Sequence, residues 1–146
     1  MNGMRPIVEI MFSSFALVAA DQLFNQAGQL GYIYGGEARV PLVARTRVAI
    51  GLGYGAQHSM DPASLFAQFP GWRVAAPSNA YDYAGLFNAA MASESPTVFI
   101  EHHELYGRSF PVPEGPLDHV VPFGQAAVVR KGRDLTMAAW SFGVVQ

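Results

Sequence analysis

The stretch "GWRVAAPSNAYDYAGLFNAAMASESPTVFIE", residues 71–101, reads as strand, helix and strand in immediate succession. "GWRVAAP" is a short apolar run stopped by a proline. Ser78 stands where a helix cap is favoured, and a helix follows from Asn79 to about Ala92. "PTVFIE" (96–101) is again an apolar run of strand length. Elements in this order imply a parallel sheet with helices on its faces.

The same alternation extends toward the N-terminus. "RPIVEI" (5–10) is continuous rather than alternating, as expected of a strand buried on both faces. Ser13 or Ser14 is placed to cap a helix from about Phe15 to Leu30. Its apolar positions Phe15, Val18, Leu23, Ala27 and Leu30 follow helical spacing, and Gly28 and Gly31 mark its end. "VPLVAR" (40–45) is a second buried strand. Asp61 is a good N-cap and Pro62 suits the first position of a short helix, "PASLFAQF". The expected strands lie near 5–10, 40–45, 73–76 and 97–101, and the helices near 15–30, 62–69 and 79–92. The fold class is therefore α/β, a mainly parallel sheet flanked by helices.

Past residue 107 the texture changes. Pro111, Pro113, Pro116 and Pro122, with interspersed glycines, describe an extended connector over 108–123. "QAAVVRKGRDLTMAAWS" then reads as two strands around a Lys131-Gly132 turn. The expected organisation is an α/β domain over 1–107, the connector, and the first strands of a second domain over 124–146.

Hydrophobic residues make up 51% of the 146-residue chain and charged residues 14%. So apolar a chain either buries an unusual share of its surface or presents part of it to a partner. The net charge of −2, with no Lys or Arg run, argues against nucleic acid and against a basic membrane patch. The absence of cysteine excludes disulfides, thiolate nucleophiles and Cys-based zinc sites. Arg5 and the run ending "ALVAADQ" loosely suggest a secretory signal, but Pro6, Glu9, Ser13 and Ser14 interrupt it. No uninterrupted apolar segment approaches the ~20 residues of a membrane helix. A cytoplasmic protein is the expectation.

Ligands in open α/β sheets bind at the carboxyl ends of the strands. The loops there hold Phe12 to Phe15, Arg45 to His58, Pro77 to Asn79, and His102 to Tyr106. "GLGYGAQHSMDP" (51–62) lacks the Lys-Ser/Thr of a P-loop and the helix and later acid of a dinucleotide fingerprint, and Asp61 repels phosphate. Glycine content alone favours a flexible connector. His58 follows it, between a strand end and a helix start, as a structural residue or as an acid, base or hydrogen-bond donor. "EHHELYG" (101–107) lacks the second His of a zincin, so its polar groups read as a strand end satisfying neighbouring backbone. "AWSFG" has Ala139 where a serine-nucleophile elbow needs glycine.

Taken together, "GMRPIVEIMFSSFALVAADQLFNQAGQLGYIYGG", "VPLVAR", "GYGAQHS", "PGWRVAAPSNAYDYAGLFNAAM", "SPTVFIEHHELYG" and "VPFGQAAVVRKGRDLT" resemble the β subunit of the thiamine-diphosphate-dependent 2-oxo acid dehydrogenases. That family includes the pyruvate, branched-chain 2-oxo acid and acetoin enzymes and is related to transketolase. The resemblance covers essentially the whole chain, and implies a transketolase-type pyrimidine-binding domain. It makes the glycine loop an active-site rim carrying His58 toward the cofactor's reactive carbon. Phe15 matches the aromatic that packs on the aminopyrimidine. Leu42, Ala90, Ser93 and Ser95 match positions around a potassium ion, mostly as backbone carbonyl donors.

The resemblance also implies parts that these residues do not match. The family's ring-activating glutamate lies upstream of "GMRP", and Glu9 is not its counterpart. The diphosphate and magnesium motif belongs to the α subunit. The chain is thus expected to be truncated at both ends and to bind no cofactor alone. The implied partners are the α subunit and a lipoyl-bearing acyltransferase, with a homo-oligomer, most simply a dimer, when alone. Two functions stay open: part of a 2-oxo acid dehydrogenase, inactive alone, or a non-catalytic domain acting through self-association or partner binding.

Overall fold

The computed structural model describes residues 2–146. Strands β1 (Ile7–Ile10), β2 (Val43–Val48), β3 (Arg73–Ala75) and β4 (Thr97–His102) form one sheet in the order β1-β2-β4-β3. All its pairings are parallel, with Ile7 opposite Val43 and both Val43 and Arg73 opposite Thr97. The parallel α/β architecture expected from the strand–helix alternation is present.

The period of two along the strands divides the core into two layers. On one face Ala44, Val48, Val98 and Ile100 pack with Ala16, Leu23, Phe24, Phe66 and Trp72. On the other, Val43, Ala75 and Phe99 pack with Ala90 and the half-buried Tyr83, Leu86 and Phe87. Interior strand β4 is buried along its whole length. β1 is not: Ile7 is 50% and Val8 39% exposed. The expectation of a strand buried on both faces fails there because β1 is a sheet edge, and a continuous apolar run does not distinguish edge from interior. β2 starts later than expected because Pro41 sits in a tight turn, closed by the Leu42 N–H donating to the Val40 carbonyl at 2.7 Å.

The single regular helix expected over 15–30 is replaced by three helical turns. They are a 3₁₀ turn at Ser13–Leu17, a π turn at Asp21–Ala27 and helix α1 at Gly28–Ile33. No side chain caps the first turn; the Ser13 hydroxyl donates to the Met60 carbonyl instead. The wider π turn gathers Leu23, Phe24 and Ala27 onto the core. Phe24 then stacks on Phe69 at 4.7 Å and meets Phe66 edge-on at 5.0 Å. Gly28 does not end the helix but allows close approach: the Gly71 N–H donates to its carbonyl at 3.0 Å, and a Cβ at Gly71 would lie 2.2 Å from that oxygen. The buried Trp72 indole donates to the Leu23 carbonyl at 2.8 Å in the same junction.

Helix α2 (Ala63–Ala67) begins after Pro62, and Asp61 accepts the Ala63 N–H at 2.9 Å. Helix α3 (Ala80–Ala92) is capped by Asn79 rather than Ser78. Asn79 Oδ1 accepts from the Asp82 N–H at 2.8 Å, and Asn79 Nδ2 donates to the Asp82 carboxylate at 2.7 Å. Ser78 stands one residue too early for this reciprocal pair.

The connector lies along α3. Asn88 donates to the carbonyls of Leu117 and His119 at 2.7 and 2.9 Å, and His119 stacks on Tyr81 at 4.1 Å. The two strands expected around Lys131-Gly132 are not formed. Their Val128, Val129, Leu135 and Met137 are exposed, and a lone hairpin with nothing packed on it is marginal in water. A 3₁₀ turn at Ser141–Val144 returns to the sheet, where the Ser141 N–H donates to the Ala76 carbonyl at 2.9 Å. No helix among the described residues is long and apolar enough to cross a membrane.

Candidate functional site

The carboxyl ends of β1 and β2 meet at His58. β1 runs directly into Phe12 and the 3₁₀ turn that holds Phe15. β2 runs into the glycine loop, where Gly51, Gly53 and Gly55 have φ of +82°, +75° and +80°, the left-handed region that favours glycine. The Ala49 N–H donates to the His58 carbonyl at 2.8 Å and closes the loop, leaving His58 at the end of a 3₁₀ turn (Ala56–His58).

The His58 ring is half-buried. Phe12, itself 4% exposed, meets it edge-on at 4.0 Å, and Phe15 lies at 5.8 Å with its ring also near perpendicular. The Arg47 guanidinium covers Phe12 at 4.1 Å. The structure thus brings His58 and Phe15 together. Phe12, the nearer of the two rings, is the site residue that the sequence reading did not single out; its place immediately after a strand is the signal that marks it. The Ser14 hydroxyl beside Phe15 is buried without a partner. An aromatic ring carrying polar substituents fits this setting, so the residues present suit an aminopyrimidine.

A separate polar cluster lies on the α3 face. The buried Glu101 carboxylate accepts from Arg45 Nε at 2.8 Å and Arg45 Nη2 at 3.1 Å, from the Tyr83 hydroxyl at 2.8 Å and from the Tyr106 hydroxyl at 2.5 Å. Burial, then the Glu101 charge and hydrogen bond, push the Tyr83 phenol up. Burial and the hydrogen bond to Glu101 do the same for Tyr106. The hydrogen bond to Glu101 likewise holds the Arg45 guanidinium more firmly protonated. Glu101 is therefore satisfied by side chains, not by neighbouring backbone as expected. His102 fits that expectation, with its Nε2 3.2 Å from the Ile50 carbonyl and its Nδ1 accepting the Glu104 N–H at 3.3 Å. Arg45, Tyr83, Phe87, Glu101 and Tyr106 line a cavity of about 580 Å³, which His58 and Phe15 do not border.

The four carbonyls matched to a potassium site all have donors within the chain. Leu42 accepts from the Thr97 N–H at 2.8 Å, Ala90 from the Ser93 N–H at 3.0 Å and Ser95 from the Ser93 hydroxyl at 3.2 Å. Ser93 accepts from Arg5 Nη1 at 2.5 Å. Neutral donors leave a second lone pair for a cation, but a guanidinium on Ser93 repels one. The set as placed does not fit potassium. Among the described residues no group of three or more His, Asp or Glu side chains is arranged to hold a metal.

Residues 1–108 match the family described as "Transketolase, pyrimidine binding domain". The chain belongs to this family. It is 43% identical over 142 residues to the β subunit of acetoin:2,6-dichlorophenolindophenol oxidoreductase from Cupriavidus necator, covering 97% of this chain and 41% of that one. It is 40% identical over 141 residues to the mitochondrial pyruvate dehydrogenase E1 component subunit beta-1 of Arabidopsis thaliana, covering 95% and 39%. The pyruvate dehydrogenase E1 component subunit beta of Rickettsia felis is 39% identical over 142 residues, covering 97% and 43%. The chain thus spans about two-fifths of the length of these relatives. Among solved structures, a chain titled "Split gene transketolase, inactive beta4 tetramer" superposes with a TM-score of 0.65 at 20% identity, over 90% of this chain and 38% of that one. At that identity the likeness shows the shared fold.

Proposed function

We propose that this pyrimidine-binding chain is the β-subunit part of a thiamine-diphosphate-dependent 2-oxo acid dehydrogenase, with His58 as catalytic residue and Phe15 as the platform for the aminopyrimidine. The observation that carries the reading is the state of His58. It is half-buried at the carboxyl end of the sheet and braced by Phe12, and no described residue bonds its imidazole nitrogens. Thiamine diphosphate, when bound, supplies the nucleophilic carbon and electron sink that loss of carbon dioxide from a 2-oxo acid needs. The chain's own residues orient and shield. Phe15 offers an aromatic face, Phe12 excludes water from one side of His58, and His58 donates or accepts a hydrogen bond at the reacting group. An α subunit holds the diphosphate and magnesium, and a lipoyl-bearing acyltransferase takes the acyl group. Relatives named for pyruvate and acetoin enzymes support this reading.

Thiamine diphosphate titration, on the chain alone and with an α subunit of a relative added, tests it. Binding is expected only in the mixture, and weaker binding there when Phe15 is replaced by Ala. Absence of binding in the mixture, with both chains folded, overturns the reading.

A second reading, a non-catalytic domain acting through self-association or partner binding, is favoured by exposed apolar side chains on the first helical segment. Val18 is 90%, Tyr32 84% and Ile33 63% exposed. The assembly it expects is a dimer, which closes on one self-complementary patch and buries more than about 1,000 Å². Light scattering at micromolar concentration distinguishes this from a monomer.

A further inference from the structure

The loop that carries His58 has little packing of its own. Space around the Cβ positions of Gly51, Gly53 and Gly55 is open to beyond 4 Å. Tyr54, between the last two of these glycines, reaches out of the loop. Its hydroxyl lies 3.4 Å from His103 Nε2, with ring centroids 5.3 Å apart at 61°. The same Tyr54 ring stands 6.1 Å from Phe12 and 6.4 Å from His58.

His103 is a firm anchor. It opens the 3₁₀ turn His103–Gly107 at the end of β4, the most buried strand. Its ring leans on Tyr106 at 5.5 Å, and Tyr106 is held by its hydrogen bond to the buried Glu101. His103 Nδ1 is buried without a partner, a cost that a merely incidental surface histidine does not carry. A line of rings thus runs from the rigid centre of the sheet through His103 and Tyr54 to the loop.

We propose that His103 is a positioning residue: acting through Tyr54, it fixes the glycine loop and with it the orientation of the His58 imidazole. The inference rests on the reading of His58 given above, because a reacting group must be held close to its productive geometry. His103 itself does not touch the substrate.

The test is ¹³C-edited NMR of the histidine Cε1–H groups in the full chain without cofactor. His103→Ala is expected to shift and broaden the His58 resonance, although no direct ring contact joins the two histidines. Tyr54→Phe loses the hydroxyl contact but keeps the ring contact with His103, and is expected to leave the His58 resonance nearer its wild-type position than Tyr54→Ala does. Tyr54→Ala with His103→Ala shifts His58 no further than Tyr54→Ala alone. His103→Gln, a milder change, is expected to broaden the resonance too and serves if the alanine variant does not fold. A His58 resonance unchanged in a folded His103 variant overturns the proposal. The measurement needs no thiamine diphosphate, so its failure is separate from a failure of the cofactor titration.

Discussion

Arg45 grips Glu101 from two rungs away: its own register partner on β4 is Phe99, while Glu101 stands opposite Arg47. The fork reaches diagonally and engages both carboxylate oxygens, at 2.8 and 3.1 Å. Removing the cation strands a buried carboxylate, whereas removing the charge leaves a polar group with donors still in place. Arg45→Met is therefore expected to cost about 3 kcal/mol, the bottom of the range for a broken buried pair because the Arg45 side chain is 35% exposed. Glu101→Gln is expected to cost less. Urea denaturation of both variants measures the order; a larger loss for Glu101→Gln contradicts it.

Tyr83 and Tyr106 give the cluster a signature at high pH. Both phenols are raised above the ordinary tyrosine value of about 10. Below that pH both are protonated, folded or unfolded, and their contribution is fully present. Above it the unfolded chain releases these protons first, so stability declines as pH rises toward the folded values. Thermal unfolding followed from pH 8 upward is expected to show that decline, and Tyr83→Phe and Tyr106→Phe to flatten it. Absorbance at 295 nm should find two of the 6 tyrosines ionising late.

Gly71 is expected to tolerate no side chain. An alanine Cβ would meet the Gly28 carbonyl oxygen, a backbone atom, at 2.2 Å, so the helical segment must move off the sheet. The expected cost is about 2–3 kcal/mol, at the upper end for overpacking. Gly53→Ala, at φ +75° in open space, suffers backbone strain alone and should lose about 1 kcal/mol. Chemical denaturation compares the two directly.

His58 is expected to separate stability from chemistry. His58→Ala loses the close ring contact with Phe12 and the more distant ones with Phe15 and Tyr54, and should lower stability by about 1 kcal/mol. In a full-length relative with this same loop the matching change should abolish most acyl transfer, and in this chain mixed with an α subunit His58→Ala should leave thiamine diphosphate binding in place. Phe15→Ala should instead weaken that binding about tenfold, the worth of one aromatic contact. A large fall in melting temperature for His58→Ala, with transfer retained, would mark it as structural.

The sheet was legible in the sequence because alternating strands and helices admit few arrangements, and the 71–101 stretch carries strand, helix and strand without interruption. What was hidden depends on residues far apart. Nothing in "VPLVAR" shows that its arginine pairs with the glutamate of "EHHELYG", since the bond spans 56 positions and matures only when β2 lies beside β4. The π turn is also silent: its apolar spacing reads as an ordinary helix, whereas the folded chain winds wider there and packs Phe24 on Phe66 and Phe69. Val128 and Val129 mislead in the opposite way, having strand propensity but no neighbour to pair with. The sequence places His58 and Phe15 near strand exits; the approach of their rings to 5.8 Å, and the bracing of His58 by Phe12, need the exits of β1 and β2 to converge.

Every rung of this sheet joins residues distant along the chain, as Ile7 with Val43 and Val43 with Thr97. No hairpin is available to start it. The chain must close long loops before any strand gains a partner, so folding is expected to be slow, with a nucleus centred on β2 and β4. During that interval Val43, Val98 and Ile100 lie open to other chains. Refolding yield should therefore fall with protein concentration even where the folded protein is stable, and rapid dilution should outperform slow dialysis.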